Sequence, residues 1–421
     1  MITIKQIKAF EILDSRGSPT VETVVELSDG SVGTSSVPSG SSVGRREAFE
    51  LRDNDQERFH GLGVLNAVRN VNDIIAPKLI GKETIKQGEI DQIMVSLDGS
   101  NNKSNLGANA ILSVSQANVV AAAKATKLPL YMYISELING KVPERIERLP
   151  TPTFNIINGG MHGTGNLDIQ EFHVIPSTIK PFHEALRMGD EVYQRLKFVL
   201  TQRNATHAVG DEGGFTPNLY TNLDALEALM EAIKGTKYKF GLEIFLGLDV
   251  AATSLYKENS YYIKDRPTSL NTEEFIEYLR DLHQNYRLLI LEDPLAEDDW
   301  IGWQMITDQM GKEVNIVGDD LVVTHPDLLK KAINDKACNS VIIKPNQIGT
   351  VSETLAFIKI AREADFKTVV SHRSGETTDS FIADMAVGVG ADYVKFGAPA
   401  RGERVVKYNR LLQIERELKL V

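Results

Sequence analysis

The chain has one cysteine, Cys338, among its 421 residues. No intrachain disulfide can form, and this usage fits a reducing, cytoplasmic setting. No apolar run approaches the roughly 20 residues of a membrane span. The opening "MITIKQIKAFEIL" lacks the charged-then-apolar pattern of a leader. Low-complexity tracts and repeats of solenoid period are also missing. Positive charge is in deficit: 46 Lys and Arg face 57 Asp and Glu, for a net charge of -11 and a pI near 5.4. That balance argues against nucleic acid or an anionic membrane as the main partner. It leaves room for an anionic substrate at a local cationic site. With 42% hydrophobic residues and a mean hydropathy of -0.17, the length suits two domains rather than one.

The first third reads as mixed α and β. "TVETVVELSDGSVGTSSVP" suggests two strands joined at Asp29-Gly30. "GANAILSVSQANVVAAAKAT" carries almost no charge until its end and predicts a packed helix. The polar stretch "NGKVPERIERLPTP" marks a boundary near residue 140, giving an N-terminal α+β domain over 1–138 and a second domain over 139–421. In the second domain "TPTFNII" and "IQEFHVI" are strand candidates separated only by "NGGMHGTGNLD". That loop is too short for a crossover helix, so the second strand is expected antiparallel to the first. Two amphipathic helices follow, one built on Phe182, Ala185, Leu186, Val192, Leu196 and Val199, the other on Leu223, Leu226, Met230 and Ile233. Strands and helices then alternate. The order ββαα(βα)6 predicts a closed α/β barrel.

Six of the strand candidates end in a charge or a histidine: "FLGLDVAA" in Asp249, "LLILED" in Glu292 and Asp293, "NIVGDD" in Asp319 and Asp320, "SVIIKP" in Lys344, "TVVSHR" in His372 and Arg373, "DYVKFG" in Lys395. In a barrel the C-terminal strand ends share one face, where loop-borne chemistry collects. The antiparallel strand would begin there, with Gln170 and Glu171 beside the loop carrying His162. Any one acid alone reads best as a helix cap. Asp249, Glu292 and Asp319 in register read as hard oxygen ligands for Mg²⁺. Lys344 and Lys395 would ordinarily be salt-bridge partners. Beside a metal and a second lysine, a lysine pKa should fall far enough for a base. "SHRSGE" offers His372, Arg373 and Ser374 as an anion-binding set or a polar turn. "VGDEGG" places Glu212 in a Gly-flanked turn. If Glu171 is near it, mutual repulsion should keep one of the two protonated as an acid. "VPSGSSVG" is either a linker or a lid supplying Ser42 to a metal. Together these parts suit proton removal α to a carboxylate with a metal-stabilised enediolate.

The segments "DSRGSPTVE", "VPSGSSVGRREAFELRD", "GANAIL", "NIINGGMHGTGNLDIQEF", "VGDEGGFTPN", "EDPLAEDDW", "VGDDLVVT", "IKPNQIGT", "SHRSGETTDSFIAD" and "YNRLLQIEREL" resemble the enolases over nearly the whole chain. The resemblance implies dehydration of 2-phosphoglycerate to phosphoenolpyruvate. It implies Lys344 as the base and Glu212 as the acid, with Glu171 beside it and His162 on a closing loop. It implies Asp249, Glu292 and Asp319 on a first Mg²⁺ and Ser42 on a second that arrives with substrate. Arg373 and Ser374 would bind phosphate, with Gln170, His372 and Lys395 also at the substrate. Similar proteins are homodimers or octamers built from dimers, and some are displayed on cell surfaces. The phosphate-type motifs set the chain apart from sugar-acid dehydratases and racemases on the same scaffold. Ser18, Val43, Val250, Thr378 and Phe396 depart from the usual pattern, and Phe396 is expected to reshape the site wall.

Overall fold

A computed structural model describes residues 1–40, 44–163 and 167–420. The chain opens with an antiparallel sheet of β1 (Ile4–Leu13), β2 (Pro19–Leu27) and β3 (Val32–Ser36), in the order β1-β2-β3. The β2–β3 turn falls where the Asp29-Gly30 signal puts it, with Gly30 at φ 87° and the Ser31 amide donating to Asp29 Oδ1. Sequence reading leaves the opening residues without structure, whereas they form the edge strand β1. The helices α1 (Leu65–Arg69), α2 (Ala76–Leu79), α3 (Gln87–Asp98), α4 (Ala108–Ala125) and α5 (Leu130–Asn139) complete this part.

The near absence of charge from α4 has a packing cause. Ile111, Val114, Ala117 and Ala121 join the core beneath the sheet, while Val119, Ala122 and Ala123 join the core of the barrel. A helix buried on both sides has no face left for charged residues, and its polar ones, Asn109, Ser113, Ser115, Gln116 and Asn118, are buried as well. Its small residues also set how close the sheet can come. A Cβ added to Gly33 of β3 would lie 2.1 Å from the Ala117 carbonyl oxygen and 2.3 Å from the Ala121 nitrogen.

The second part is a closed barrel with the strand order β10-β11-β12-β13-β4-β5-β6-β9. It starts with β4 (Thr151–Asn158) and β5 (Glu171–Pro176), then α6 (Phe182–Gln202) and α7 (Asn222–Lys234). β6 (Ile244–Asp249) follows, then a small ribbon of β7 (Tyr256–Lys257) and β8 (Ser260–Tyr261), and α8 (Thr272–Tyr286). The remaining units are β9 (Leu288–Glu292) with α9 (Trp300–Met310), β10 (Asn315–Gly318) with α10 (Pro326–Asp335), and β11 (Ser340–Ile343) with α11 (Pro345–Ile348) and α12 (Val351–Glu363). Last come β12 (Lys367–Ser371) with α13 (Phe381–Gly388) and β13 (Tyr393–Lys395) with α14 (Gly402–Glu417). β5 runs antiparallel to both neighbours and all other pairs are parallel, as the short β4–β5 loop requires. Ile175, Ile290, Val317, Ile342, Val369 and Tyr393 fill the barrel interior. The C-terminal mouth is left to polar side chains.

The N-terminal sheet docks on the loop after β12. Ser39 and Gly375 exchange backbone hydrogen bonds of 2.8 and 2.9 Å, and Ser35 Oγ and the Ser36 amide donate to Asp379 Oδ2 at 2.7 and 2.8 Å. The loop bearing Arg373 and Ser374 is thereby held from both parts of the chain.

Gly33→Ala should destabilise the protein by about 1–3 kcal/mol or more, because the added carbon meets helix backbone that cannot rotate away. A urea midpoint equal to that of the unsubstituted protein would contradict this packing.

Candidate active site

Strand register brings the charges together. Glu171 of β5 pairs with Asp249 of β6, and Asp249 pairs with Glu292 of β9. From the far side of the barrel, Lys395 at the end of β13 reaches all three. Its Nζ lies 2.8 Å from Asp249 Oδ2, 2.8 Å from both oxygens of Glu292 and 3.2 Å from Glu171 Oε2. Burial works against the charged amine. The carboxylates of Asp249, Glu171 and Glu292 outweigh it and hold the Lys395 pKa well above its usual value. Glu292 is pushed the other way: burial first, then repulsion from Asp249, raises its carboxyl well above the carboxylate range.

Lys344 follows β11 and forms a short ion pair with Asp319. Gln347 donates to the other Asp319 oxygen at 2.9 Å, and Thr324 Oγ1 accepts the Lys344 amide at 2.9 Å. The lowered lysine pKa expected from the sequence is not found in the chain alone. Burial lowers it, but the attraction of Asp319 leaves Lys344 raised.

Opposite Lys344 sits a second cluster. His162 Nδ1 is 3.3 Å from Glu171 Oε1 and 3.5 Å from Glu212 Oε2. Asn155 donates to Glu212 Oε2 at 2.9 Å, and His173 Nε2 bonds Glu171 Oε2 at 2.8 Å. The expectation that one glutamate stays protonated is corrected here. Burial raises both, but Lys395, His162 and His173 hold Glu171 well below the usual range, and His162 draws Glu212 down to about 2. The cluster's proton resides on His162, where burial is outweighed by Glu212 and Glu171 and the pKa rises to about 10.

Beyond β12, His372, Arg373 and Ser374 line the same cleft as Gln170, whose Nε2 lies 3.4 Å from Asp249 Oδ2. Ser42, with Val43, falls outside the described residues. Three further acids join the site, of which Glu47 carries no individual signal in the sequence. Glu47, from the N-terminal part, grips Arg373 with both oxygens at 2.8 and 3.2 Å and accepts the Gly44 amide at 3.0 Å. Asp293, at φ 40°, turns the chain after β9 and accepts the amides of Asp319 and Asp320 at 2.9 and 3.0 Å. Burial and the neighbouring Asp319 push Asp320 up to about 7. The doubled acids "ED" and "DD" were the available clue to Asp293 and Asp320. Phe396 does not wall the cleft: its ring is fully buried against Tyr408, 5.9 Å between centroids.

The donor set fits a hard divalent cation. Asp249, Glu292 and Asp319 come from the neighbouring strands β6 and β9 and from the turn after β10, and they offer only oxygen, while Asp293, Asp319 and Asp320 are the acids whose oxygens lie within 4.8 Å of one another. Burial first, then repulsion from neighbouring carboxylates, raises Glu292, Asp293 and Asp320, so a cation entering here would displace protons from them.

An eight-stranded barrel with one antiparallel strand and its charges at the C-terminal mouth defines an enzyme-type ββαα(βα)6 barrel. The family model "Enolase, N-terminal domain" matches residues 4–134, and "Enolase, C-terminal TIM barrel domain" matches residues 146–420. The chain is also 48% identical over 420 residues to the enolase of Helicobacter pylori (strain HPAG1), covering 100% of this chain and 97% of that relative. The chain belongs to the enolase family.

His162 should leave a signature in stability against pH. Its folded pKa of about 10 exceeds the ordinary 6.5. Its contribution is therefore complete below that ordinary value and lost as pH rises toward the folded one. The urea midpoint should fall across this window more steeply than in His162→Gln. Parallel curves for the two proteins would rule out a charged His162.

Proposed function

We propose that the chain catalyses the reversible dehydration of 2-phospho-D-glycerate to phosphoenolpyruvate and water, as a phosphopyruvate hydratase of glycolysis and gluconeogenesis. The observation that carries this reading is the opposition, across one cleft, of a lysine and a histidine–glutamate cluster, with anion-binding groups beside them. Lys344 would take the C2 proton. It can do so only when the Asp319 charge is engaged elsewhere, since Asp319 is what keeps the amine protonated. Glu212, with Glu171 and His162, would deliver a proton to the departing C3 hydroxyl. Lys395 and Gln170 would meet the substrate carboxylate, and Arg373, Ser374 and His372 the phosphate side.

Asp249, Glu292 and Asp319 would hold one Mg²⁺, and Ser42 a second. Bound there, the cations would stabilise the charge that builds on the carboxylate as C2 loses its proton. Residues 1–138 would form an α+β capping domain on a 139–421 barrel domain. We propose a homo-oligomer, a dimer or an octamer built from dimers. Exposed Phe10 and Leu13 on the edge strand β1 and an apolar groove along Leu186, Val405 and Leu412 are consistent with association. A cytoplasmic location fits the cysteine usage. Cell-surface display rests on family resemblance alone, and no nucleic-acid or membrane partner is proposed.

The direct test is phosphoenolpyruvate formation from 2-phosphoglycerate with Mg²⁺ and again with excess chelator. Turnover only with the metal is expected, and none in a folded, Mg²⁺-supplied sample would overturn the reading. Lys344→Ala should cut kcat by roughly 10²–10⁴-fold with the fold intact; a near-normal kcat would remove Lys344 from the reaction. In Glu212→Gln, hydrogen exchange at C2 should outlast product formation. Equal loss of both would contradict the division of labour.

A further inference from the structure

Arg404, in the first turn of α14, is fully buried in a part of the chain that none of the cleft motifs includes. Its Nη1 lies 2.6 Å from Nδ1 of His372 and 2.6 Å from the Arg373 carbonyl oxygen. Its Nη2 donates to the carbonyl oxygens of Asp211, at 3.0 Å, and Ser374, at 2.5 Å. One guanidinium therefore joins the loop before Glu212 to the loop after β12. It also settles a proton position. A guanidinium has only donors and keeps its charge in proteins, so Nδ1 of His372 must be the acceptor. The ring is then neutral and its one hydrogen is on Nε2.

That Nε2–H has no hydrogen-bond partner among the described residues and lies 3.6 Å from Glu212 Oε2, with both groups lining the cleft. The charged groups around the ring are Glu212, Glu171, Lys395 and Arg404. Burial, the largest influence, acts with Arg404 and Lys395 against a second proton, and the His372 pKa falls well below its usual value despite the two glutamates.

We propose that Arg404 is a positioning residue that locks His372 in the Nε2–H tautomer, making the ring a fixed donor toward a substrate oxygen held beside Glu212 and barring it from acid or base work. Its part in turnover rests on the dehydration reading above. The proton for the leaving hydroxyl then comes from the Glu212–His162 side alone. A purely structural anchor would hold the two loops without fixing a tautomer, so the two roles separate experimentally.

The experiment is nitrogen NMR of the full-length chain labelled at histidine, with the His372 signals identified by their loss in His372→Asn. The result expected is an Nε2–H ring whose shifts stay fixed between about pH 5 and 8. A titrating ring, or an Nδ1–H tautomer, would overturn the proposal. In Arg404→Lys, which keeps the charge but not the planar fork, the ring should begin to titrate. Its kcat for 2-phosphoglycerate should fall about 10- to 100-fold, while KM stays within about threefold. An unchanged kcat with a still-fixed tautomer would overturn the positioning role. If Arg404→Lys does not fold, the spectrum of the unsubstituted protein decides the matter. A fixed tautomer in a protein that makes no phosphoenolpyruvate would support the locked ring and overturn the reaction instead.

Discussion

The ammonium of Lys395 is the contact on which the mouth of the barrel depends. It meets Asp249 and Glu292 at 2.8 Å and Glu171 at 3.2 Å, with all four residues nearly excluded from water. Three carboxylates from three neighbouring strands repel one another strongly in such a place. Removing the cation would leave them uncompensated, which is far costlier than removing an ion pair whole. The interaction also fixes geometry. Glu171 bonds to Lys395 through Oε2 and to the His162–Glu212 cluster through Oε1, so the two halves of the site are one network. Lys395 does not offset the burial of every acid here. Asp293 and Asp320 are held above the carboxylate range, Glu292 likewise, and Asp319 is paired with Lys344. Such a cluster is compatible with a bound cation.

The N-terminal part contributes to the site as well as to its cover. It pairs its backbone with Gly375, places Ser35 and Ser36 on Asp379, and sends Glu47 into a bidentate contact with Arg373. Glu47 also accepts the amide of Gly44. It thus ties the arginine of the anion-binding set to the segment that follows Ser42. Gln347 reaches Asp319 at 2.9 Å and Glu47 at 3.4 Å, extending the same network to Lys344.

Much of this was legible in the sequence, for identifiable reasons. The ββαα(βα)6 order follows from local signals, because a short β4–β5 loop dictates an antiparallel pair and helices must separate the parallel ones. Charges at strand ends are legible because the barrel sends those ends to one face, and Asp249, Glu292, Lys344 and Lys395 all met there. What escaped was set by tertiary packing. β1 was not recognised as a strand, since only its partner and the core beneath reveal it. Glu47 and Arg404 act across distances of hundreds and tens of residues, with no spacing to betray them. The protonation states were misjudged for the same reason. A pair of glutamates predicts a shared proton only if nothing cationic stands beside them, and His162, His173 and Lys395 do.

The claim that a cation takes the place of protons on the buried carboxylates is best tested by calorimetric titration of Mg²⁺ into the full-length protein at about pH 7, in two buffers of different ionisation enthalpy. If Glu292 and its neighbours hold protons in the metal-free site, binding must expel them. The observed heat will then differ between buffers in the sense of net proton release. Identical heats in the two buffers, or no binding at all, would contradict the account.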